Sequence, residues 1–189
     1  VAIIGAISLC ARRGIIVKNP AVLETIATCR TGIFDKTGTL TEGNPRVTSL
    51  TLTPAGEQLG RDEVLRLVGS AEQHTTHPLG QALVMFARDA GVDFEPVGSV
   101  STIEGQGVVA RLGDTDLRVG NARLMNAAGI SLAGFDGVDS GQRSEAFFAR
   151  GATLLGRALI EDSVRHDARA VLDALRARGH RVILASGDR

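Results

Sequence analysis

Two short apolar runs near opposite ends of the chain, each leading into a small polar loop, constrain its fold more than any other feature. Residues 31–35 read TGIFD and enter a Gly- and Thr-rich loop at 36–44, while residues 181–185 read RVILA and enter Ser186, Gly187 and Asp188. Short apolar runs bounded by turn residues read as buried strands. Before the second run, Val164, Ala168, Val171, Leu172 and Leu175 recur at i, i+4, i+7, i+8 and i+11, one helix face, with Gly179 as its stop. Asn19 followed by Pro20 opens a short helix predicted to reach Ala27, ahead of the first strand. Such alternation predicts a doubly wound α/β sheet, in which sites lie at the carboxyl edges of strands. Asp35 and Ser186 are both expected at that edge.

The stretch between, residues 46–157, has a different texture. Helices are predicted at 62–73, with Val64, Leu65, Val68 and Ala71 on one face, and at 78–90, with Leu79, Ala82, Leu83 and Phe86. Strands follow at 97–103, 107–112 and 115–119, the last two joined at Gly113-Asp114 as a hairpin. A short helix at 122–127, a polar Gly-rich loop at 129–143 and strands at 145–149 and 152–160 complete the pattern. An antiparallel sheet with helices, inserted into a parallel α/β domain, accounts for it.

Composition narrows the function classes. Among 189 residues, 21 Lys and Arg balance 21 Asp and Glu, which argues against a nucleic-acid binder working by phosphate neutralisation. Hydrophobic residues make up 43%, above what disorder tolerates, and the 23 glycines imply many tight turns. Six Phe with no Tyr or Trp offer little for an aromatic stacking surface. Cys10 and Cys29 have neither disulfide-framework nor zinc spacing, so core thiols in a reducing compartment are expected. Residues 1–11 are almost wholly apolar and closed by Arg12 and Arg13, about half of the ~20 residues that span a bilayer. The charge follows the apolar run, as at the cytoplasmic end of a membrane helix. A short buried helix explains that run equally well. A chain opening on Val1, with a strand stopping where its loop begins, is expected to be cut from a longer protein.

The chemistry centres on Asp35-Lys36-Thr37-Gly38-Thr39-Leu40-Thr41. A carboxylate at a strand tip, faced by loop amides and hydroxyls, can attack a γ-phosphorus and carry the phosphoryl group as an aspartyl phosphate. Gly38 admits the backbone close to phosphate, the Thr hydroxyls can donate to its oxygens, and magnesium would offset the repulsion between carboxylate and phosphate. The same residues are also good turn formers.

DKTGTLT resembles the phosphorylation motif of the P-type ATPases, and Gly32-Ile33-Phe34 and Glu42-Gly43 extend the resemblance. Asp162-Ser163-Val164-Arg165 is similar to that family's DxxR segment, and Ser186-Gly187-Asp188 to its TGD loop with Ser for Thr. His77-Pro78 resembles the HP pair of the heavy-metal branch; Glu72, Gly105-Gln106-Gly107 and Gly120-Asn121 match further positions. The usual Ser-Glu before the HP pair is Thr75-Thr76 here.

The resemblance, over residues 11–188, implies a Rossmann-like haloacid-dehalogenase-type phosphorylation domain, incomplete, with an inserted α+β nucleotide-binding domain. The implied boundaries are 1–18 for the end of a membrane or stalk helix, 19–45 and 158–189 for the phosphorylation domain, and 46–157 for the insertion. It implies catalytic roles for Asp35, Lys36, Thr37, Asp162, Ser186, Gly187 and Asp188, magnesium at Asp35 and Thr37, and ATP contacts from Glu72, His77, Gly105, Gly107 and Asn121. It also implies partner domains of the same protein, membrane and actuator, outside these residues, a transported metal cation bound there, and a cytoplasmic position beside a membrane.

Plainer readings stand beside these. His77 can be a turn residue before a first-turn proline; His74 and His77 at i and i+3 could imitate a metal pair but lack a third ligand. Gly105 and Gly107 can mark a bulge or turn, and Glu161 or Asp162 can cap a helix starting near Val164. A soluble haloacid-dehalogenase-type phosphatase is the enzymatic rival; such enzymes usually carry a second acid two residues after the nucleophile, where this chain has Thr37. A nonenzymatic nucleotide-binding module is the other.

Overall fold

The structure is a computed structural model that describes residues 2–135 and 143–185. In chain order the elements are α1 (Ala2–Arg12), α2 (Ala21–Thr25) with a 3-10 turn at Ile26–Thr28, β1 (Thr31–Asp35), β2 (Arg46–Leu52), α3 (Pro54–Leu59), α4 (Arg61–Glu72) and α5 (Pro78–Asp89). Then come β3 (Ser99–Ile103), β4 (Gly107–Leu112), β5 (Thr115–Gly120), α6 (Ala122–Ala127), β6 (Ser144–Arg150), β7 (Thr153–Glu161), α7 (Ala168–Ala177) and β8 (Arg181–Ala185). The chain divides into two units, one continuous, Thr41–Ser163, and one made of the flanks, Val1–Leu40 with Val164–Arg189.

The continuous unit is an antiparallel sheet of six strands in the order β2-β7-β6-β5-β4-β3. Alternation along the strands feeds two cores. Phe148 and Leu155 join Val64, Val68, Leu83, Val108 and Val119 in one cluster, under α4 and α5, while Phe147 and Leu154 join Leu124, Met125 and Ile130 in the other, under α6. Each such side chain taken fully out of water contributes about 1.5–3 kcal/mol, so burial on both faces stabilises this unit strongly. The hairpin at Gly113 forms as predicted, with Gly113 at φ 57° and Leu112 opposite Thr115.

Helix α3 and strand β2 have no counterpart in the sequence reading. Thr53 caps α3, its hydroxyl accepting from Gly56 N at 3.2 Å, and Pro54 follows at the first turn. Gly56 lets the helix press onto β7: a Cβ there would lie 2.0 Å from the Leu155 carbonyl oxygen.

In the flanking unit β1 pairs in parallel with β8, Thr31 opposite Arg181 through Asp35 opposite Ala185. The expectation of buried strands fails: Ile33 is 69% and Leu184 57% exposed, and among the described residues of this unit only Ala168 is buried. A pair of strands with one amphipathic helix offers too little surface to cover its own apolar side chains. Val164 does not belong to the predicted helix. The backbone there is used otherwise, Arg165 N donating to Leu40 O at 2.8 Å, so α7 begins only at Ala168 with Asp167 at its N-cap. Neither Glu161 nor Asp162 caps it. Helix α1 forms over the apolar N-terminal run but buries none of its residues, which removes the short buried helix; among the described residues no helix is long and apolar enough to cross a membrane. Cys29 is exposed and Cys10 half-buried, so neither is a core thiol.

Candidate functional site

Strand β1 delivers Asp35, exposed, to the end of the parallel pair, in register with Ala185. The next residues form a type II turn, with Thr37 at φ −79°, ψ 124° and Gly38 at φ 75°, ψ −8°. The second central position of that turn requires φ > 0, which is why glycine stands at 38. Arg165 holds the exit of the loop: its Nε donates to Thr39 O at 3.1 Å and its backbone N to Leu40 O. Lys36 is half-buried. Ser186, Gly187 and Asp188 lie outside the described residues.

Asp162, expected among the catalytic groups, accepts hydrogen bonds from Thr41 Oγ1 at 2.5 Å, Gly43 N at 3.2 Å and Asn44 N at 3.1 Å. Glu42 N donates to Ser163 O alongside. The carboxylate thus joins the segment entering the continuous unit to the one leaving it.

Within that unit the residues expected to bind nucleotide fall into two groups. Glu72 ends α4 and is only 6% exposed; burial pushes its pKa above the ordinary glutamate value, and a hydrogen bond from the Thr75 side chain partly offsets this. His77 is the N-cap of α5, its Nδ1 accepting from Leu79 N at 3.3 Å and its backbone N donating to Thr75 Oγ1 at 3.2 Å. The turn reading of His77 is therefore correct as local structure, and it leaves the exposed imidazole with Nε2 as its remaining polar atom. No group of three His, Cys, Asp or Glu that could hold a metal occurs among the described residues, His74 and His77 included.

The second group surrounds the β3–β4 turn. Gly105 sits at φ 67° with nothing within 4 Å of a Cβ placed on it, so its outer side is open. Gly107 is different: it faces Gly120 across the β4–β5 ladder, and a Cβ would lie 2.2 Å from Val119 O. Asn121 N-caps α6 by accepting from Arg123 N and Leu124 N, while its Nδ2 donates to Gly105 O at 2.8 Å. Its amide therefore holds the turn that carries Gly105. Ala71, beside Glu72, shares a core cluster with Val108 and Val119, which neighbour Gly107 and Gly120.

The sequence marks Thr75 only as a departure from the usual Ser-Glu before the HP pair, and gives Gly80 no role. The signal available was spacing alone: a hydroxyl at i+3 from Glu72 at a helix end, and a small residue one turn into the next helix.

Residues 29–189 match the family of haloacid dehalogenase-like hydrolases. The chain is 32% identical over 183 residues to a probable copper-exporting P-type ATPase of Archaeoglobus fulgidus, covering 94% of this chain and 22% of that protein. It is 33% identical over 192 residues to a zinc/cadmium/lead-transporting P-type ATPase of Escherichia coli, covering 99% and 25%. The solved structure of the catalytic CPx-ATPase domain CopB-B superposes with a TM-score of 0.72 at 27% identity, covering 97% of this chain and 62% of that one. The chain thus spans a quarter or less of the length of these two curated relatives. The chain belongs to the haloacid dehalogenase-like hydrolase family, and the proteins it matches along nearly its whole length are heavy-metal P-type ATPases.

Proposed function

We propose that this chain is the ATP-binding and phosphoryl-accepting portion of a heavy-metal cation pump, working through an aspartyl phosphate. The observation that carries the reading is Asp35 at the end of a parallel strand, followed at once by a type II turn whose residues 37–39 carry two hydroxyls and a glycine with φ 75°. A carboxylate oxygen of Asp35 attacks the γ-phosphorus of ATP, the bond to the bridging oxygen breaks, and ADP leaves with the electron pair. Lys36 offsets charge on the phosphoryl oxygens, and Thr37 donates to one of them. Ser186, Gly187 and Asp188 complete this site by resemblance. Thr37 occupies the place where phosphatases of this family usually carry a second acid, so no side chain there activates water and the acyl phosphate persists. That persistence suits a transport cycle better than a phosphatase.

Asp35 and Thr37 offer hard oxygen donors, the kind magnesium takes together with phosphate oxygens and water. Magnesium bound there would neutralise charge between nucleophile and phosphate. Glu72, His77, Gly105, Gly107 and Asn121 hold the nucleotide, Asn121 by fixing the Gly105 turn. We assign residues 46–157 to nucleotide binding and 19–45 with 158–189 to phosphoryl transfer. Membrane and actuator domains of the same polypeptide, a position on the cytoplasmic side of a membrane and a cation bound in the membrane part belong to the same proposal.

The test is phosphorylation of the intact pump from γ-labelled ATP. Acid-stable, hydroxylamine-labile label is expected in the wild type and absent in Asp35→Asn and Asp35→Ala, with ATP still bound. Label retained in Asp35→Ala rejects the assignment.

A further inference from the structure

The segment that leads into β3 is fastened across the last turns of α4. Ser70 carries a helical hydroxyl in a residue only 2% exposed, and that hydroxyl accepts the backbone N–H of Glu95 at 2.9 Å. Gln73, the C-cap of α4, uses both protons of its side-chain amide here: Nε2 donates to Ser70 O at 3.0 Å and to Glu95 O at 3.1 Å. Ser70 O lies in the last turn of the helix, where carbonyls run out of intrahelical partners, so one side chain serves a helix end and a neighbouring segment together. Gly69 admits Phe94 against α4, since a Cβ there would lie 2.2 Å from Phe94 Cε1, and the Arg88 guanidinium of α5 sits 5.5 Å from the centroid of the same ring. Arg66 of α4 pairs with the Glu95 carboxylate. Two residues further on, Val97 packs against the first core cluster and Gly98 N donates to Arg111 O at 2.9 Å.

These contacts join two elements that carry different parts of the nucleotide site. Helix α4 ends on Glu72, next to Gln73, while β3 ends on Ile103 and passes into the turn that holds Gly105. Among the described residues β3 has β4 as its single sheet neighbour and is exposed along its length, so the sheet holds it from one side only. We infer that Gln73 and Ser70 are positioning residues of the nucleotide site, fastening the Glu95 backbone to the end of α4 and so fixing the Glu72 corner relative to the Gly105 turn. The inference rests on the nucleotide reading given above. Both donors of the Gln73 amide are engaged within the protein, so its effect on a ligand passes through Glu72 and Gly105. A ligand held from two elements binds more weakly when those elements move against one another, because binding must then order them.

The test follows the 189-residue chain by NMR while ATP is titrated, in the wild type, Gln73→Met, Ser70→Ala and Ser70→Thr. Gln73→Met keeps the reach of the side chain and removes both donors. Before ATP is added, the amides of Gly105 and Gly107 shift in Gln73→Met although the substitution lies on another element, and ATP affinity falls by about three- to tenfold, the effect of one or two lost neutral hydrogen bonds. Ser70→Ala acts in the same direction, and Ser70→Thr, which keeps the hydroxyl, binds ATP as the wild type does. Should Gln73→Met fail to fold, the contrast between Ser70→Ala and Ser70→Thr decides. A tie that serves stability alone would lower the unfolding midpoint while leaving the Gly105 and Gly107 amides and the ATP affinity at wild-type values, and that result overturns the inference. If those amides move in Gln73→Met yet ATP affinity is unchanged there and in Glu72→Gln and Gly105→Ala, the tie stands and the nucleotide reading of these residues falls.

Discussion

Thr41 donates its hydroxyl proton to Asp162 at 2.5 Å, joining two segments 121 positions apart in sequence. Thr41 is among the most deeply buried side chains of the molecule, and the same carboxylate also accepts from Gly43 N and Asn44 N. An acceptor shared by three donors at the edge of the continuous unit explains why an aspartate stands at 162, whatever else it does. Asp162→Ala removes this acceptor and should cost about 2–3 kcal/mol. Urea unfolding followed through the continuous unit checks it, and a midpoint equal to wild type would show that the clamp adds nothing.

Glu72 predicts a pH dependence of definite sign. Its folded pKa lies above the ordinary value of 4.5, so the native state binds the proton more tightly than the unfolded chain. Stability therefore falls as pH rises from about 4.5 through the folded pKa, and stays flat above it as far as this group is concerned. Glu72→Gln should flatten that part of the profile and raise the unfolding midpoint at pH 7, while weakening ATP binding. Unfolding measured from pH 4 to 8 in both proteins decides it; an unchanged slope in Glu72→Gln would contradict the burial argument.

The two glycines of the β3–β4 turn should separate by mechanism. Gly107→Ala drives a Cβ against the Val119 carbonyl of the neighbouring strand and should cost about 3 kcal/mol of stability. Gly105→Ala meets no atom and carries only the strain of φ 67°, about 1–2 kcal/mol, so its main effect should be on ATP affinity. Thermal unfolding beside ATP titration distinguishes them. Equal stability losses in the two proteins would remove the distinction.

Gly38→Ala forces a side chain into φ 75° at the turn beside Asp35. The turn then opens or is strained by about 1–2 kcal/mol, and phosphoryl transfer in the intact pump should slow by about tenfold or more while ATP affinity holds. A quench-flow measurement of phosphoenzyme formation reads this directly. Wild-type rates in Gly38→Ala would mean that the loop geometry is not used.

The two units should also differ in local stability. Strands β4 and β5 are flanked on both sides in the sheet and contribute Val108, Ala110, Leu117 and Val119 to a closed core, whereas among the described residues β1 and β8 pair only with one another and leave Ile33 and Leu184 exposed. Amide hydrogen exchange is expected to be slower by orders of magnitude in β4 and β5 than in β1 and β8. Equal protection would show that the flanking unit is stabilised in a way its burial does not reveal.

Much of this was legible in the order of residues because the signals were local. A type II turn needs glycine at its second central position, so Thr37-Gly38 declares its own geometry; Gly113-Asp114 between two alternating runs declares a hairpin, and Asn121 before Ala122 a capped helix. Helix α3 was equally declared by Thr53-Pro54 and went unread. Other features depend on partners far away in the chain. Val164 continues a helical periodicity, yet the backbone beside it bonds to residue 40; Asp162 reads as a helix cap or a catalytic residue, and only the packed chain shows it accepting from residues 41, 43 and 44. Gly56 and Gly107 look like any loop glycines until Leu155 O and Val119 O are found against them. Local conformational preference is written in neighbouring residues, so the sequence by itself determined the turns, most caps and strands, and the DKTGTLT motif that carries the resemblance. Which polar group meets which, and how deep Glu72 lies, was decided only by the tertiary structure, because hydrogen-bond partners and exclusion of water are properties of the packed chain.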